Sequence, residues 1–373
     1  MKDNNRQNLF SEIEEIPDVL KESHLLSLDG LRAVSVIFVL VFHVLMSFKT
    51  RFSFDYLANL GVQFFFVISG FLITTLLLKE KVSKGSISLG NFYVRRFFRI
   101  IPVAYLYLSI VLLLDIVFKL HLKLIYLLTS FLFIRNFFET ATGIDHLSTH
   151  YWSLSVEEQF YLIFPFILKR SFRVYLVFLS GIMAFSFLLD FLGFGFGISL
   201  ETGAWMKFLV QIITQFQGIT IGSLTSIILF KTNSSFNIEN KTMINLGLFV
   251  TIILLTLYPA TCFFNLIMIL KCALFAMILV INLNPAGNVI FKALNSNAMK
   301  LIGVLSFSIY IWQQPFTQGL NIINQTSIMK HFENKVPIDI VITIASLMVL
   351  SVISYVSYYY YERKFLKLRE RFR

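Results

Sequence analysis

The chain has 373 residues, 57% of them hydrophobic and 14% charged, with 42 phenylalanines. Soluble domains hold ~45–50% apolar residues, so this composition excludes an ordinary soluble protein and predicts a polytopic membrane protein with no room for a large soluble domain. The net charge of +11 does not call for nucleic acid, because Lys and Arg cluster in short loops between apolar runs, as cytoplasmic loops of membrane proteins do.

Residues 1–27 are polar and of mixed charge and read as a cytoplasmic N-terminal arm. No basic segment followed by a short apolar run and a small-residue cleavage site is evident, so no removable signal is expected. The first span is predicted over 28–48, LDGLRAVSVIFVLVFHVLMSF. Its length fits a hydrocarbon core of ~30 Å, which needs ~20 residues rising ~1.5 Å each. It carries Arg32 and His43. Eleven steps of ~100° bring them within ~20° of one face, ~16 Å apart along the axis. Ionisable groups in hydrocarbon cost at least ~2.5–3.5 kcal/mol each, so they normally face a polar interior and mark a site or pathway. The alternative is a snorkelling arginine and a histidine satisfied by a neighbouring helix.

A second span is predicted over 56–78, with Ser69-Gly70 as a small-residue contact point. The stretch 79–99 reads as a loop. It holds Lys79, Lys81, Lys84, Arg95, Arg96 and Arg99 against Glu80, a bias that puts it, and with it the N-terminus, in the cytoplasm. The third span follows at 100–118. The apolar run 122–137 is too short to cross and reads as interfacial or re-entrant on the outer side. Residues 138–150 contain Glu139 and Asp145 and no Lys or Arg, fitting an extracytoplasmic loop. Further spans are predicted at 152–168, 174–190, 208–230, 243–260, 263–283, 299–320 and 338–358. The tail 362–373 has six basic and two acidic residues. The expected fold is therefore all-α: a polytopic integral membrane helical bundle of about ten transmembrane helices. Both termini are cytoplasmic, and the membrane domain at 28–361 lies between the arm and the basic tail. Counting 122–137 as an eleventh span would break the charge bias.

Cys262 and Cys272 lie in apolar runs and read as packed thiols rather than a disulfide; no metal-ligand set is expected. His43 leads the candidates for a general base, since imidazole both takes and returns a proton near neutral pH. It lies ~23 Å into the first span, leaving ~7–8 Å to the outer surface. Glu157 and Glu158 follow Trp152 by five and six residues on an opposite-running span, ~8–9 Å below the same surface. Equal depth allows a carboxylate to orient the imidazole. The alternative is a pair of acidic groups stabilising a helix N-terminus. Ser155, Glu158 and Tyr161 recur at helical spacing and can share a face, whereas Tyr151 and Trp152 read as interface anchors. Arg95, Arg96 and Arg99 are spaced to grip phosphates, or else set topology beside anionic lipid. Arg32, ~6 Å inside the cytoplasmic boundary, could meet the same ligand. Lys271 within a span is expected to pair with an acid such as Asp115 or Asp190, or to line a cavity. His24, His121, His146, His150 and His331 fall in loops or interfaces and read as ordinary, His150 being the one that an outer acceptor site could use.

Several of these stretches also carry a family pattern. A Leu-Asp-Gly-Leu-Arg entry with a histidine after ten further residues resembles the membrane acyltransferase-3 family, which includes bacterial polysaccharide O-acetyltransferases. FFFVISGFLIT (64–74), NFYVRRFFRIIP (91–102) and YWSLSVEEQFYLIFP (151–165) fit the same pattern, with weaker echoes at LIGVLSFSIYIWQQP (301–315) and YYYYERKF (358–365). The resemblance runs from about Leu28 to Phe365. It implies a multi-pass acyltransferase of the bacterial cytoplasmic (inner) membrane. The enzyme would move an acyl group, acetyl by the family's habit, from cytoplasmic acetyl-CoA or another acyl-CoA to a hydroxyl of an envelope polysaccharide or lipid-linked glycan, as in lipopolysaccharide or O-antigen biosynthesis. It implies membrane lipids as neighbours, no permanently bound cofactor, no metal and no nucleic acid. Carried onto this chain, the catalytic residues are His43 with Glu157 or Glu158, the donor-binding residues Arg32, Arg95, Arg96 and Arg99, and the supporting residues Asp29, Trp152, Ser153, Ser155 and Tyr161. The family often shows a His-Trp-Pro-like triplet where this chain has Gln313-Gln314-Pro315, so no role carries over there. The rival reading is a transporter or exporter of lipid-linked glycan, since intramembrane charges also line transport paths.

Overall fold

The computed structural model describes residues 10–22, 25–47, 55–138, 143–196, 204–232, 240–257, 264–284, 288–317 and 336–372. His24, Glu139, Cys262 and His331 lie outside them. Every regular element among the described residues is helical: α1 (Asp18–Lys21), α2 (Leu28–Ser47), α3 (Asp55–Lys84), α4 (Leu89–Phe118), α5 (Leu124–Phe131), α6 (Tyr151–Arg170), α7 (Phe172–Phe196), α8 (Ala204–Thr232), α9 (Lys241–Leu257), α10 (Phe264–Ile281), α11 (Val289–Leu294), α12 (Asn297–Trp312), α13 (Gln314–Thr317), α14 (Val336–Val356) and α15 (Arg363–Arg369). Among the described residues six helical stretches are long and apolar enough to cross a membrane: Leu28–Leu45, Asn59–Lys84, Leu89–Phe118, Phe172–Leu192, Ile212–Thr232 and Ile340–Phe372. Three shorter apolar helices are Lys241–Leu257, Asn265–Ile281 and Asn297–Trp312. Helix α5 has eight residues, ~12 Å of helix, too short to span.

The basic stretch 79–99 is not a loop. Helix α3 runs on to Lys84 and α4 starts at Leu89, so the arginines stand on a helix. Lys and Glu are good helix formers, and their charges mark a membrane edge without ending the helix. The break comes instead at Gly85, whose φ of 75° suits glycine.

The described chain divides into two compact units, each built of separate segments. The first comprises Met1–Leu31, Gln63–Ile87 and Phe160–Lys300. Its centre is a close approach of α3 and α8. A Cβ on Gly70 would lie 1.9 Å from the Ile219 carbonyl oxygen, and one on Gly222 would lie 2.0 Å from that of Val67. Gly218 and Gly222 stand one turn apart, the small-residue spacing that lets helix backbones touch in membranes. Hydroxyl pairs Thr74–Tyr175 and Thr75–Ser226, each at 2.8 Å, flank the seam. Reciprocal amides close Asn245 on Asn282, and Gln217 donates to Asn265 at 2.9 Å. The arm before α2 is pinned to this unit: Lys81 meets Glu12 at 2.6 Å, and Lys79 donates to the Glu22 carbonyl at 2.8 Å.

Asp190 does not serve Lys271. Its carboxylate accepts the backbone amides of Asn265 and Leu266, at 3.2 and 2.6 Å, and so caps α10. A negative group is favoured at that positive helix end. Lys271 is buried beside Cys272. Asp115, in the second unit, accepts from the Leu122 amide at 3.0 Å.

The second unit comprises Arg32–Val62, Ser88–Gln159 and Leu301–Arg373. Here α4 is the spine. Tyr151 donates to the Ala104 carbonyl at 2.6 Å and Tyr107 to that of Leu147 at 2.7 Å, tying α6 and the 3-10 turn Gly143–Ser148 to α4. The last helix passes through a π-helical turn, Ser357–Glu362, into α15. Arg95 then donates to the Phe372 carbonyl at 2.7 Å and Phe98 stacks on the Phe372 ring, so the basic tail lies along α4.

Candidate active site

His43 stands in the last turns of α2, and its Nδ1 lies 2.7 Å from the carbonyl oxygen of Val39 one turn back. A carbonyl only accepts, so Nδ1 carries the proton and Nε2 of the neutral ring holds the lone pair. The helix thus fixes a tautomer with its basic nitrogen turned away from its own backbone. The ring packs edge-on against Phe42 at 5.9 Å. His146 and His150 are its charged or chargeable neighbours within electrostatic range.

His150 lies just before α6, enclosed by the rings of Tyr107, Tyr151 and Tyr310 at 5.3, 4.9 and 5.7 Å. Burial first, and the nearby His43 ring second, push its imidazole down to about 3, while the Ile311 carbonyl works the other way. His150 is therefore neutral at physiological pH. Tyr310 is held by both partners at the same level: its hydroxyl donates to the His150 carbonyl at 3.1 Å and pairs with Ser153 Oγ at 2.5 Å. Ser153 thus anchors α12 to the start of α6.

The two glutamates part company on α6. Glu157 acts electrostatically on Tyr310, on the side of the His150 cluster. Glu158 stands within electrostatic range of Arg96 and Tyr105, along α4. Its Oε1 is buried with no hydrogen-bond partner among the described residues. Ser155 is fully buried, donating to the Tyr151 carbonyl at 2.8 Å and accepting the Arg135 amide at 3.2 Å. It joins α6 to the 3-10 turn Arg135–Phe137 rather than facing a ligand. Trp152 is half-buried on the first turn of α6.

Each arginine of the basic cluster on α4 has its own neighbour. Arg95 holds the C-terminal segment, Arg96 sits over the Phe92 ring at 5.6 Å, and Arg99 faces Tyr358 and the buried Glu362. Glu362 in turn accepts from Ser308 at 2.6 Å and Ser357 at 2.9 Å. Arg32 is half-buried near the start of α2. Asp29 and Tyr161 belong to the first unit: Asp29 in the first turn of α2, and Tyr161 buried with its ring against Phe160. The structure thus gathers His43, His146, His150, Ser153, Glu157 and Tyr310 in one unit, with Glu158 and the arginines further along α4.

Arg135 was not singled out from the sequence, yet it is one of the largest fully buried side chains. Its guanidinium lies 4.4 Å from the Tyr126 ring centre and donates to the Phe138 carbonyl at 3.2 Å. Asn136 and Gln159 exchange amide hydrogen bonds at 3.2 and 2.8 Å beside it. A lone arginine in an otherwise apolar run was the available signal.

Among proteins of known name, the chain is 27% identical over 320 residues to peptidoglycan O-acetyltransferase OatA of Listeria monocytogenes, covering 78% of this chain and 49% of that protein. It is 27% identical over 320 residues to O-acetyltransferase OatA of Staphylococcus aureus, covering 80% and 51%. The chain therefore spans about half the length of the curated relatives it matches. No solved structure matches it. The model of an acyltransferase domain matches residues 25–356, and with that the chain belongs to the membrane acyltransferase-3 family.

Proposed function

We infer that the chain is a membrane O-acetyltransferase that moves an acetyl group from cytoplasmic acetyl-CoA to a hydroxyl of an envelope glycan. The observation that carries this reading is the His43 ring near the end of an apolar helix, with Nδ1 committed to Val39, which makes Nε2 the basic nitrogen of the neutral ring. The glycan hydroxyl attacks the thioester carbonyl carbon while Nε2 takes its proton. The new C–O ester bond forms, the C–S bond breaks, and the imidazolium returns the proton to the CoA thiolate. A positioned base of this kind contributes ~10²–10⁴-fold. Glu157 supports the imidazolium from the Tyr310 side, and Arg96 and Arg99, with Arg32, supply positive charge for the donor phosphates.

The name of the Listeria relative favours peptidoglycan as acceptor over lipopolysaccharide or O-antigen. Ten spans with both termini cytoplasmic, in the bacterial inner membrane, place the basic arginines at the donor face and His43 toward the outer face. Reconstituted protein given radiolabelled acetyl-CoA and peptidoglycan fragments is expected to release CoA and form an alkali-labile ester on the glycan. Glycan movement without CoA release would favour an exporter and overturn the reading.

A further inference from the structure

Helix α12 stops at Trp312, and the reason lies three residues on. Pro315 has no N–H for the Ile311 carbonyl, and its ring obstructs a regular turn. The chain restarts as α13, with the amides of Phe316 and Thr317 both donating to the Gln313 carbonyl at 2.9 Å. At this break the Gln313 side chain turns inward and is 0% exposed, and Trp312 is 9% exposed. They sit beside the candidate active site: Tyr107 lies edge-on to Trp312 at 5.4 Å and to His150 at 5.3 Å, and Tyr310 bonds the His150 carbonyl.

Among the described residues neither amide atom of Gln313, nor Trp312 Nε1, has a hydrogen-bond partner. Among the described residues no other buried side-chain amide has both its atoms without a hydrogen-bond partner, although Asn59 Oδ1, Asn288 Nδ2 and Gln314 Oε1 are each a single such atom. Asn136 closes on Gln159, Gln217 on Asn265 and Asn245 on Asn282. A buried amide left open costs stability, and such a cost is kept where a ligand collects it. The chemistry of the ligand follows from the atoms. Trp312 Nε1 and Gln313 Nε2 donate, whereas Gln313 Oε1 accepts. A thioester or a phosphate offers acceptors only, and an acyl chain neither donors nor acceptors, so each would leave Oε1 unpaired. Neighbouring sugar hydroxyls both donate and accept, and aromatic walls suit the C–H face of a pyranose.

We propose that Gln313 and Trp312 form a hydroxyl-reading subsite for the acceptor glycan beside His43. The assignment rests on the acyltransferase reading for its substrate but on the open amide for its place. Gln313 binds and positions; it does not exchange protons.

The test uses the full purified chain and a soluble tetrasaccharide of alternating N-acetylglucosamine and N-acetylmuramic acid. Equilibrium binding is measured in a His43→Ala background, so that nothing turns over, and steady-state transfer is measured with His43 intact. Gln313→Leu is expected to weaken tetrasaccharide binding at least tenfold and to raise the acceptor KM by a similar factor, with the donor KM unmoved. Trp312→Phe, which removes the indole N–H together with part of the ring, is expected to weaken binding severalfold. The ligand-free melting temperature of Gln313→Leu should equal or exceed that of the unmodified protein, because an open amide has been removed; a merely structural glutamine would lower it. Unchanged binding in folded Gln313→Leu, or no binding by the parent protein, overturns the proposal. Gln313-dependent binding without any acetyl transfer would sustain the subsite and sink the transferase reading. Acetyl transfer with an acceptor KM indifferent to Gln313 would do the reverse.

Discussion

His43 and Glu157 lie on the same side of the second unit, through His150 and Tyr310, whereas Glu158 lies with Arg96 and Tyr105. Replacing each glutamate by glutamine keeps size and removes charge, so the two should fail differently. Glu157→Gln is expected to lower kcat by about 10-fold or more, as expected of a group supporting a general base, with little change in donor KM. Glu158→Gln is expected to act mainly on donor KM through Arg96. Steady-state rates with varied acetyl-CoA separate the two. His150 gives a pH dependence of stability rather than of chemistry. Its imidazole titrates near 3 in the folded chain against an ordinary 6.5. Below 6.5 the unfolded chain therefore takes up a proton that the folded chain refuses. Stability is lost as pH falls from about 6.5 toward 3, by about 1 kcal/mol per pH unit. Melting in detergent at pH 7.5 and pH 5 should show that loss in the parent protein and a flatter profile in His150→Phe. What was legible at this scale was charge against an apolar background: Arg32, His43 and the glutamates stand out because hydrocarbon penalises them. His150 stood out only as a residue that an outer acceptor site could use, and Gln313 only as a departure from the family's triplet, because the burial of each depends on elements far apart in sequence. Pro315 was the one local sign that the helix at Gln313 must break.

At the scale of elements, the apolar runs gave the helices well, and the charged stretches misplaced their ends. Lys79 to Arg99 looks like a loop by charge, yet Lys, Glu and Arg are comfortable in a helix, and only the four residues from Gly85 to Ser88 interrupt it. The contact at Ser69-Gly70 was legible from residue size. Its partner, Gly218 and Gly222 on α8, was not, since one sequence shows small residues but not what they face. The seam makes a sharp comparison possible. A Cβ at Gly222 would lie 2.0 Å from the Val67 carbonyl oxygen, whereas one at Gly181 on α7 meets nothing within 4 Å. Gly222→Ala should lower stability by at least about 1–3 kcal/mol, as overpacking does. Gly181→Ala should be neutral or gain up to about 1 kcal/mol from helix propensity. Thermal unfolding of the two variants in the same detergent checks both signs.

For the whole molecule, the proposal of ten spans and cytoplasmic termini rests on the loop charges, beyond the six helices that qualify by length and composition among the described residues. Cysteine labelling at Ser83, on the exposed end of α3, should succeed only after permeabilisation. Labelling at Thr142, which lies outside the described residues, should succeed from outside. The reverse pattern would invert the donor and acceptor faces. The central claim, that this chain transfers acetyl groups through His43, is tested most directly in sealed proteoliposomes. Radiolabelled acetyl-CoA is supplied at the face bearing Ser83 and a peptidoglycan tetrasaccharide at the other. The account predicts label appearing as an ester on the tetrasaccharide with matching CoA release, and a fall of at least ~10²-fold in His43→Ala protein that is folded and inserted. Label transfer by His43→Ala at the parent rate would contradict it.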